Sequence, residues 1–219
     1  MYDYQAWLNR ANEFVHKLRS IPQVDIDTYE VGPPLSEAQL ASLDRNLRIP
    51  LPGPIRKFLS GASLFDLNYY WDFDVPTPPA VLELFPGKSG INGGLTLCDC
   101  NDLVDQQRQM LEAVDEAEPH CLEIVRGCFP FATVGNGAQL CLLNGRDDGP
   151  VVYVEFLGHG CLQIAESFDS FLENWEGTGY LNPLGCPFEG PDFMLQALPA
   201  RFLDGKSSGA AQFRQALGF

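Results

Sequence analysis

Residues 35–59, LSEAQLASLDRNLRIPLPGPIRKFL, contain the pattern that decides the fold of this chain. Ser36 can cap a helix, and Gln39 three residues later completes the capping box that marks many helix starts. Apolar residues follow at helical spacing, at Leu40, Leu43 and Leu47. Pro50 and Pro52 each remove a backbone donor and restrict the residue before them, so the helix is predicted to end near Leu47.

A second, short helix is predicted directly after these prolines. Pro54 suits the first turn of a helix, where a backbone N–H would have no partner inside the helix. Ile55, Phe58 and Leu59 then give this helix one apolar side. An ordinary helical pair in any α+β domain is the alternative interpretation of the same spacing.

The second informative stretch, residues 129–175, predicts strands followed by a helix. Three β-rich runs occupy residues 138–143, 151–156 and 161–165. Turn formers at 144–150 separate the first two runs, so these should form a hairpin. Ser167 can cap the helix that follows, and its apolar residues fall on one face: Phe168, Phe171, Leu172 and Trp175.

These two patterns together resemble the SUKH superfamily over residues 33–176. The superfamily contains immunity proteins of bacterial polymorphic toxin systems and a fungal regulator of cell-wall synthesis. The resemblance therefore implies a protein that acts by holding a partner and has no catalytic residues. We expect an α+β fold in which helices from both ends of the chain pack on one face of a mainly antiparallel sheet.

Both ends of the chain extend beyond that pattern. An N-terminal helix is predicted from an apolar stripe at Tyr4, Trp7, Leu8, Ala11, Phe14, Val15 and Leu18. Residues 1–176 should thus form one SUKH-like domain, with 177–219 an elaboration packed on it. Two short helices are predicted in this elaboration, at 193–198 and 210–217. Its packing residues should be Tyr180, Phe188, Phe193, Phe202 and Phe213.

Composition restricts the class of partner. The chain has 219 residues and a formal net charge of −15, with a pI near 4.4. Such a charge repels nucleic acid and speeds association with a basic protein.

The sequence lacks an apolar run of the about 20 residues that a membrane span needs, which predicts a cytoplasmic protein without a membrane partner. The 7 cysteines, an odd number, favour buried reduced thiols over a disulfide framework. Composition does not predict an oligomeric state.

Candidate partner-binding residues come from two acidic segments. Residues 64–86 are predicted to form a strand and a long loop, and aromatic and acidic side chains alternate there, at Tyr70, Trp71, Asp72 and Asp74. Tyr and Trp are frequent anchors of protein interfaces. The alternative interpretation is that the aromatic residues line the core while the acids face water.

The second segment is a predicted helix at residues 101–118. Its buried side should carry Leu103, Gln107, Met110, Leu111 and Val114. On the opposite side lies an acidic ridge formed by Asp105, Glu112 and Glu116. This ridge is a second candidate contact for a basic partner, and a simple solvated helix face is the alternative.

Enzymatic motifs are weak throughout the chain. Residues 205–209, GKSSG, match a nucleophile elbow, yet no histidine follows them, as that fold requires. Phosphate-binding glycines and metal-ligand spacings are also missing, so we expect no cofactor and no metal. A cysteine next to a histidine remains a less favoured hypothesis of thiol catalysis, either His159 with Cys161 or His120 with Cys121.

Two functions therefore follow from the sequence. The favoured one is an immunity protein that neutralises a cognate toxin, with a basic nuclease domain as one candidate. The other is a cytoplasmic adaptor or regulator that binds a resident protein on the same scaffold.

Overall fold

The computed structural model describes residues 2–74, 76–113, 121–134, 137–143, 149–154, 160–183, 193–195, 198–200 and 204–219. The described helices are α1 (Tyr4–Leu18), α2 (Glu37–Asn46), α3 (Gly53–Leu59), α4 (Pro79–Leu84), α5 (Leu103–Ala113), α6 (Leu122–Gly127), α7 (Phe168–Gly177) and α8 (Ser208–Ala216). The strands are β1 (Val24–Val31), β2 (Phe65–Asp72), β3 (Gly90–Leu97), β4 (Cys128–Thr133), β5 (Gln139–Leu143), β6 (Val151–Val154), β7 (Cys161–Ala165), β8 (Phe193–Leu195) and β9 (Leu198–Ala200).

The nine strands of the described residues join one sheet in the order β1-β2-β3-β4-β5-β6-β7-β9-β8. Neighbouring strands run antiparallel from β1 through β7, and β7 pairs with β9 in parallel. The predicted hairpin is confirmed, because β5 and β6 pair in antiparallel register. The α+β fold with a mainly antiparallel sheet is therefore confirmed.

Helices from both ends of the chain pack on one face of this sheet, as predicted. All seven apolar residues of the predicted α1 stripe are buried, and so are the four on α7. The ring of Trp7 lies 5.0 Å from Phe65 on β2 and 6.2 Å from Trp175 on α7. Phe213 on α8 reaches the same core and lies 5.9 Å from the ring of Trp71. Aromatic burial thus packs the two ends of the chain against β2.

The other face of the sheet is covered only over its second half by described helices. There α5 and α6 enclose a smaller core against β4 to β7. It consists of Met110, Cys121, Ile124, Val125, Cys128, Cys141, Leu143, Val152, Val154 and Cys161. Leu103, Gln107 and Met110 are buried as predicted, whereas Leu111 is half-buried and Val114 lies outside the described residues.

The stretch at 35–59 folds as the sequence predicts. Ser36 and Gln39 form the capping box of α2, which ends at Asn46, and Pro54 lies in the first turn of α3. The Asp44 carboxylate accepts a hydrogen bond from the Leu51 N–H at 2.7 Å and pairs with Arg56 at 3.0 Å. This carboxylate therefore holds the two helices in a fixed relation across the prolines.

Two predictions of local structure were wrong. A helix was predicted at 193–198, but residues 193–195 form strand β8 and pair with 198–200, strand β9, in antiparallel register. The long loop expected after β2 contains α4, with Pro79 in its first turn. In both places a contact distant in sequence, with β7 or with α8, decides the local structure.

Candidate protein-binding surface

The part of the sheet that no described helix covers is a polar face made by β1, β2 and β3. Their register places Asp25 opposite Tyr70, Thr28 opposite Asn68, and Glu30 opposite Asp66. On the other side of β2, Tyr70 faces Asn92. We call this surface the open acidic face; it comprises Asp25, Thr28, Glu30, Asp66, Asn68, Tyr70, Asp72 and Asn92.

The alternation along β2 separates this face from the core. Phe65, Leu67, Tyr69, Trp71 and Phe73 are buried, whereas Asn68 and Tyr70 are exposed and Asp66 and Asp72 are half-buried. The prediction of Trp71 as a surface anchor is corrected here, because its side chain is only 1% exposed and belongs to the core. Tyr70, at 40% exposure, is the aromatic residue of β2 that faces outward on this side of the sheet.

The charge of the open acidic face has one sign. Strands β1, β2 and β3 contain no lysine, arginine or histidine. Glu30 and Asp66 stand directly opposite each other, and like charges in this arrangement destabilise a sheet. Asp66 keeps one compensating contact, a 2.8 Å hydrogen bond donated by the Thr96 hydroxyl. A cation placed over this pair would relieve its repulsion.

Helix α5 lies on the same side of the sheet. Thr96 on β3 is paired with Thr133 on β4, and the Thr133 hydroxyl oxygen accepts a 3.3 Å hydrogen bond from the Gln106 side-chain amide. Two of the predicted site segments therefore border one side of the molecule, although they are 30 or more residues apart in the sequence.

The predicted ridge on α5 is only partly acidic. Asp105 and Glu112 are exposed, as expected, but the Arg108 guanidinium pairs with Asp105 at 2.8 Å. Glu116 lies outside the described residues. Near the start of α5, burial, Asp99 and Asp105 raise the pKa of Asp102. Arg108 thus partly neutralises the negative charge at the start of the helix.

Asp74 stands just beyond β2. It is exposed, and its backbone N–H donates a 2.8 Å hydrogen bond to the Asp72 carboxylate. This turn fixes the Asp72 side chain at the end of the open acidic face.

The cysteines are mostly buried. Cys98, Cys121, Cys128, Cys141 and Cys161 are buried, and Cys100 is half-buried. Burial raises the pKa of Cys98 and of Cys141, and the Cys128 side chain adds to the effect at Cys141. Such thiols are poor nucleophiles because little thiolate forms at neutral pH. The histidines of the two hypothetical thiol pairs, His120 and His159, lie outside the described residues.

Two further kinds of feature concern metal ions and membranes. Within the described ranges, no group of three or more His, Cys, Asp or Glu side chains is arranged to hold a metal ion. The helices in those ranges are too short or too polar to cross a bilayer.

Sequence reasoning missed the contribution of β1 to the site. Asp25, Glu30 and Asn92 were not predicted as contact residues, and register alone brings them beside Tyr70 and Asp66. A usable signal was present in VDIDTYEV at 24–31, where apolar and acidic residues partly alternate without a base.

A known protein family matches most of the chain. The sequence model described as the SMI1 / KNR4 family (SUKH-1) matches residues 34–174, well over half of the chain. Its range includes β2 and β3 but neither β1 nor α8. No curated protein matches the chain.

Proposed function

Because the chain belongs to the SMI1 / KNR4 family (SUKH-1), we propose that it is a noncatalytic protein-binding module whose open acidic face holds a basic partner. The observation that carries this proposal is the absence of any base from β1, β2 and β3, combined with the acids around Tyr70: Asp25 stands opposite it on β1, and Asp72 follows two residues later on β2. A sheet face of this kind is rigid, so it can present charge without an ordering cost on binding.

The negative charge of the protein mainly raises the rate at which a basic partner associates with it. A net charge of −15 steers a basic protein toward the molecule, and the open acidic face then selects the orientation. Tyr70 supplies apolar contact area at the centre of that face, where desolvated aromatic anchors contribute most to affinity. The like-charged pair of Glu30 and Asp66 gains a counter-charge in the complex and lacks one in the free protein.

The partner we favour is a toxin with a basic domain, such as a nuclease, which the protein neutralises by covering the active site or substrate groove in a stoichiometric complex. This proposal places the protein in the cytoplasm and needs neither a cofactor nor a nucleic-acid partner. The second candidate is an adaptor or regulator that binds a resident protein. It is favoured by the fungal cell-wall regulators that share the scaffold.

Gene context and rescue separate the two candidates. The gene next to this one is sequenced, and any small basic C-terminal domain encoded there is co-expressed with the present chain. Restored growth and a one-to-one complex support neutralisation. A growth or envelope defect on deletion of this gene alone, in cells without such a toxin, supports the regulator instead.

Charge reversal tests the open acidic face directly. We expect the double variant Asp25→Lys/Glu30→Lys to slow association with the basic partner by roughly tenfold or more at low salt and to flatten its salt dependence. The matched control is Glu13→Lys/Glu83→Lys, which makes the same change in net charge at exposed positions on α1 and α4. Both helices contribute to the core on the other side of the sheet. Surface plasmon resonance measures the association rates. If both double variants slow association equally, the open acidic face is not the binding surface.

A further inference from the structure

Strand β1 forms one edge of the sheet. Among the described strands it stands at the end of the sheet order and pairs only with β2. Every residue of β1 is exposed or half-buried, whereas all five residues of the central strand β5 are buried. An edge strand presents backbone N–H and C=O groups with which another extended chain can pair.

The register of β1 with β2 determines which of these backbone groups point outward. The Gly32 N–H donates to the Leu64 carbonyl at 2.9 Å, directly after the regular end of the pairing. In an antiparallel pair, residues that bond to the partner strand alternate with residues whose N–H and C=O point away from it. Counting back from Gly32, Glu30 bonds to β2. Tyr29 and Val31 therefore direct their backbone groups to the outer edge.

The two faces of β1 carry different side chains up to this edge. Asp25 and Glu30 belong to the open acidic face. Tyr29 and Val31 lie on the core side, where the Tyr29 ring is 6.1 Å from the ring of Phe65. Val31 is 41% exposed, so apolar surface reaches the edge of the sheet and is partly uncovered there.

These faces restrict the kind of strand that fits the edge. Successive side chains of an added strand point to opposite faces of the sheet. On one face they meet acids, and β1, β2 and β3 contain no base, so basic side chains fit there. On the other face they meet Tyr29 and Val31, whose apolar surface they remove from water if they are apolar themselves.

The charge of β1 also argues against a second copy of this chain at the edge. Pairing two β1 strands would bring Asp25 and Glu30 next to the same acids of the other copy, and like charges on paired strands repel. Asp27 adds a further exposed acid where the register shifts between Ile26 and Thr28. The edge thus repels a copy of itself and attracts a basic strand, a combination that gives specificity.

We propose that the outer edge of β1 binds an extended segment of the basic partner as an additional antiparallel strand, in which basic residues facing the open acidic face alternate with apolar residues covering Tyr29 and Val31. This inference deepens the proposed function, on which it rests, because it states the conformation and sequence pattern of the partner segment. Backbone hydrogen bonds provide affinity in such strand addition, and alternate side chains provide specificity. Antiparallel pairing is the more stable arrangement per residue.

Peptides with methylated backbone nitrogens test the edge without a known partner. The probe is acetyl-Val-Lys-Val-Lys-Val-Lys amide, which has the proposed alternation. When the valines lie opposite Tyr29 and Val31, the valine N–H groups bond to β1 and the lysine N–H groups point away. N-methylation of all valines should weaken binding to the full chain at least about tenfold, whereas N-methylation of all lysines should leave it nearly unchanged. The two methylated peptides have the same charge and mass, and isothermal titration calorimetry compares their affinities.

Amide hydrogen exchange of the ¹⁵N-labelled chain locates the bound peptide. The N–H groups of Tyr29 and Val31 should exchange at least about tenfold more slowly when the unmodified peptide is saturating. The Glu30 N–H, which already bonds to β2, should change less. Val31→Pro supplies a matched variant, because it removes an outward donor from an edge strand and leaves the bonds to β2 in place. It should weaken peptide binding, while Val31→Thr, which keeps the N–H, should bind nearly as well as the unmodified protein.

The proposal is overturned if the unmodified peptide does not bind, if both methylated peptides bind as tightly as it does, or if the Tyr29 and Val31 amides exchange at unchanged rates in the saturated complex. Failure of the edge is distinct from failure of the open acidic face. If only the edge fails, Asp25→Lys/Glu30→Lys still weakens binding of the unmodified peptide, and valine methylation does not. If only the acidic face fails, valine methylation weakens binding, and the charge reversal does not.

Discussion

At the scale of single residues, Tyr4 connects the N-terminal helix to α7. Its hydroxyl donates a 2.5 Å hydrogen bond to the Asp169 carboxylate in a partly buried site. Burial, followed by the hydrogen bond and the charge of Asp169, raises the pKa of Tyr4 far above its ordinary value. Tyr4 therefore keeps its proton in the folded state at a pH where the unfolded chain loses it.

Tyr4→Phe should lower the free energy of unfolding by about 1 kcal/mol at neutral pH, since one buried hydrogen bond is lost. The raised pKa stabilises the folded protein below the ordinary tyrosine pKa of about 10, and this contribution falls as the pH rises above that value. The variant lacks the contribution, so its stability should decline less steeply between about pH 9 and pH 11. Urea unfolding across that range measures both effects. The control is Tyr70→Phe, which changes an exposed ring and should leave the pH dependence as it is in the unmodified protein. If the stability of Tyr4→Phe falls with pH as steeply as that of the unmodified protein, Tyr4 does not have a raised pKa in the folded state.

At the scale of secondary-structure elements, local signals were enough to predict helices α2 and α7. Ser36 with Gln39 and Ser167 with its apolar face predicted α2 and α7 from the sequence, because capping and helical periodicity involve neighbours within a few residues. The segment at 193–200 was mispredicted, because its strands are defined by pairing with β7 and with each other. Pairing between distant strands leaves little trace in the local sequence.

The candidate surface likewise contains residues that local sequence predicts and residues that only strand pairing brings together. Tyr70, Asp72, Asp105 and Glu112 could be predicted from residue type and spacing. The burial of Trp71 follows from strand alternation, and the sequence analysis had named core burial as the alternative for these aromatic residues. The contribution of β1 depended on register with β2, a long-range property that composition does not contain.

Strand β3 contains the clearest test of element packing. Gly94 has a φ of +100°, and a Cβ added there would collide with the backbone carbonyl of Leu67 on β2. Its N–H also donates to the Tyr180 carbonyl at 2.7 Å, so β3 contacts β2 on one side and Tyr180 on the other. Gly94→Ala should therefore lower the free energy of unfolding by at least about 3 kcal/mol.

Gly87→Ala is the matched control for this substitution. Gly87 also has a positive φ, +72°, but a Cβ there would meet nothing within 4 Å. The backbone penalty of about 1 kcal/mol should appear without the steric one. Chemical denaturation of the two variants measures the difference, and equal losses would mean that β3 shifts to make room for the methyl group.

At the scale of the whole molecule, the C-terminal residues share the core of the family region. The Phe213 ring lies 5.9 Å from Trp71 and 5.4 Å from Phe85. Beside it, the Arg214 guanidinium donates to the Gly205 carbonyl at 2.8 Å and also to the Gly177 carbonyl. These contacts tie α8 to the end of α7, across the boundary that the sequence pattern places at residue 176. Unfolding of the two parts should consequently be one event.

Phe213→Ala tests that coupling, because it removes a fully buried ring from the junction. We expect the free energy of unfolding to fall by about 3–5 kcal/mol, with tryptophan fluorescence and far-UV circular dichroism still reporting the same single transition. Gln212→Ala, at the exposed position next to it, should change stability by less than about 0.5 kcal/mol. If Phe213→Ala instead left the main transition unchanged and added an earlier one, residues 177–219 would fold as a separate unit.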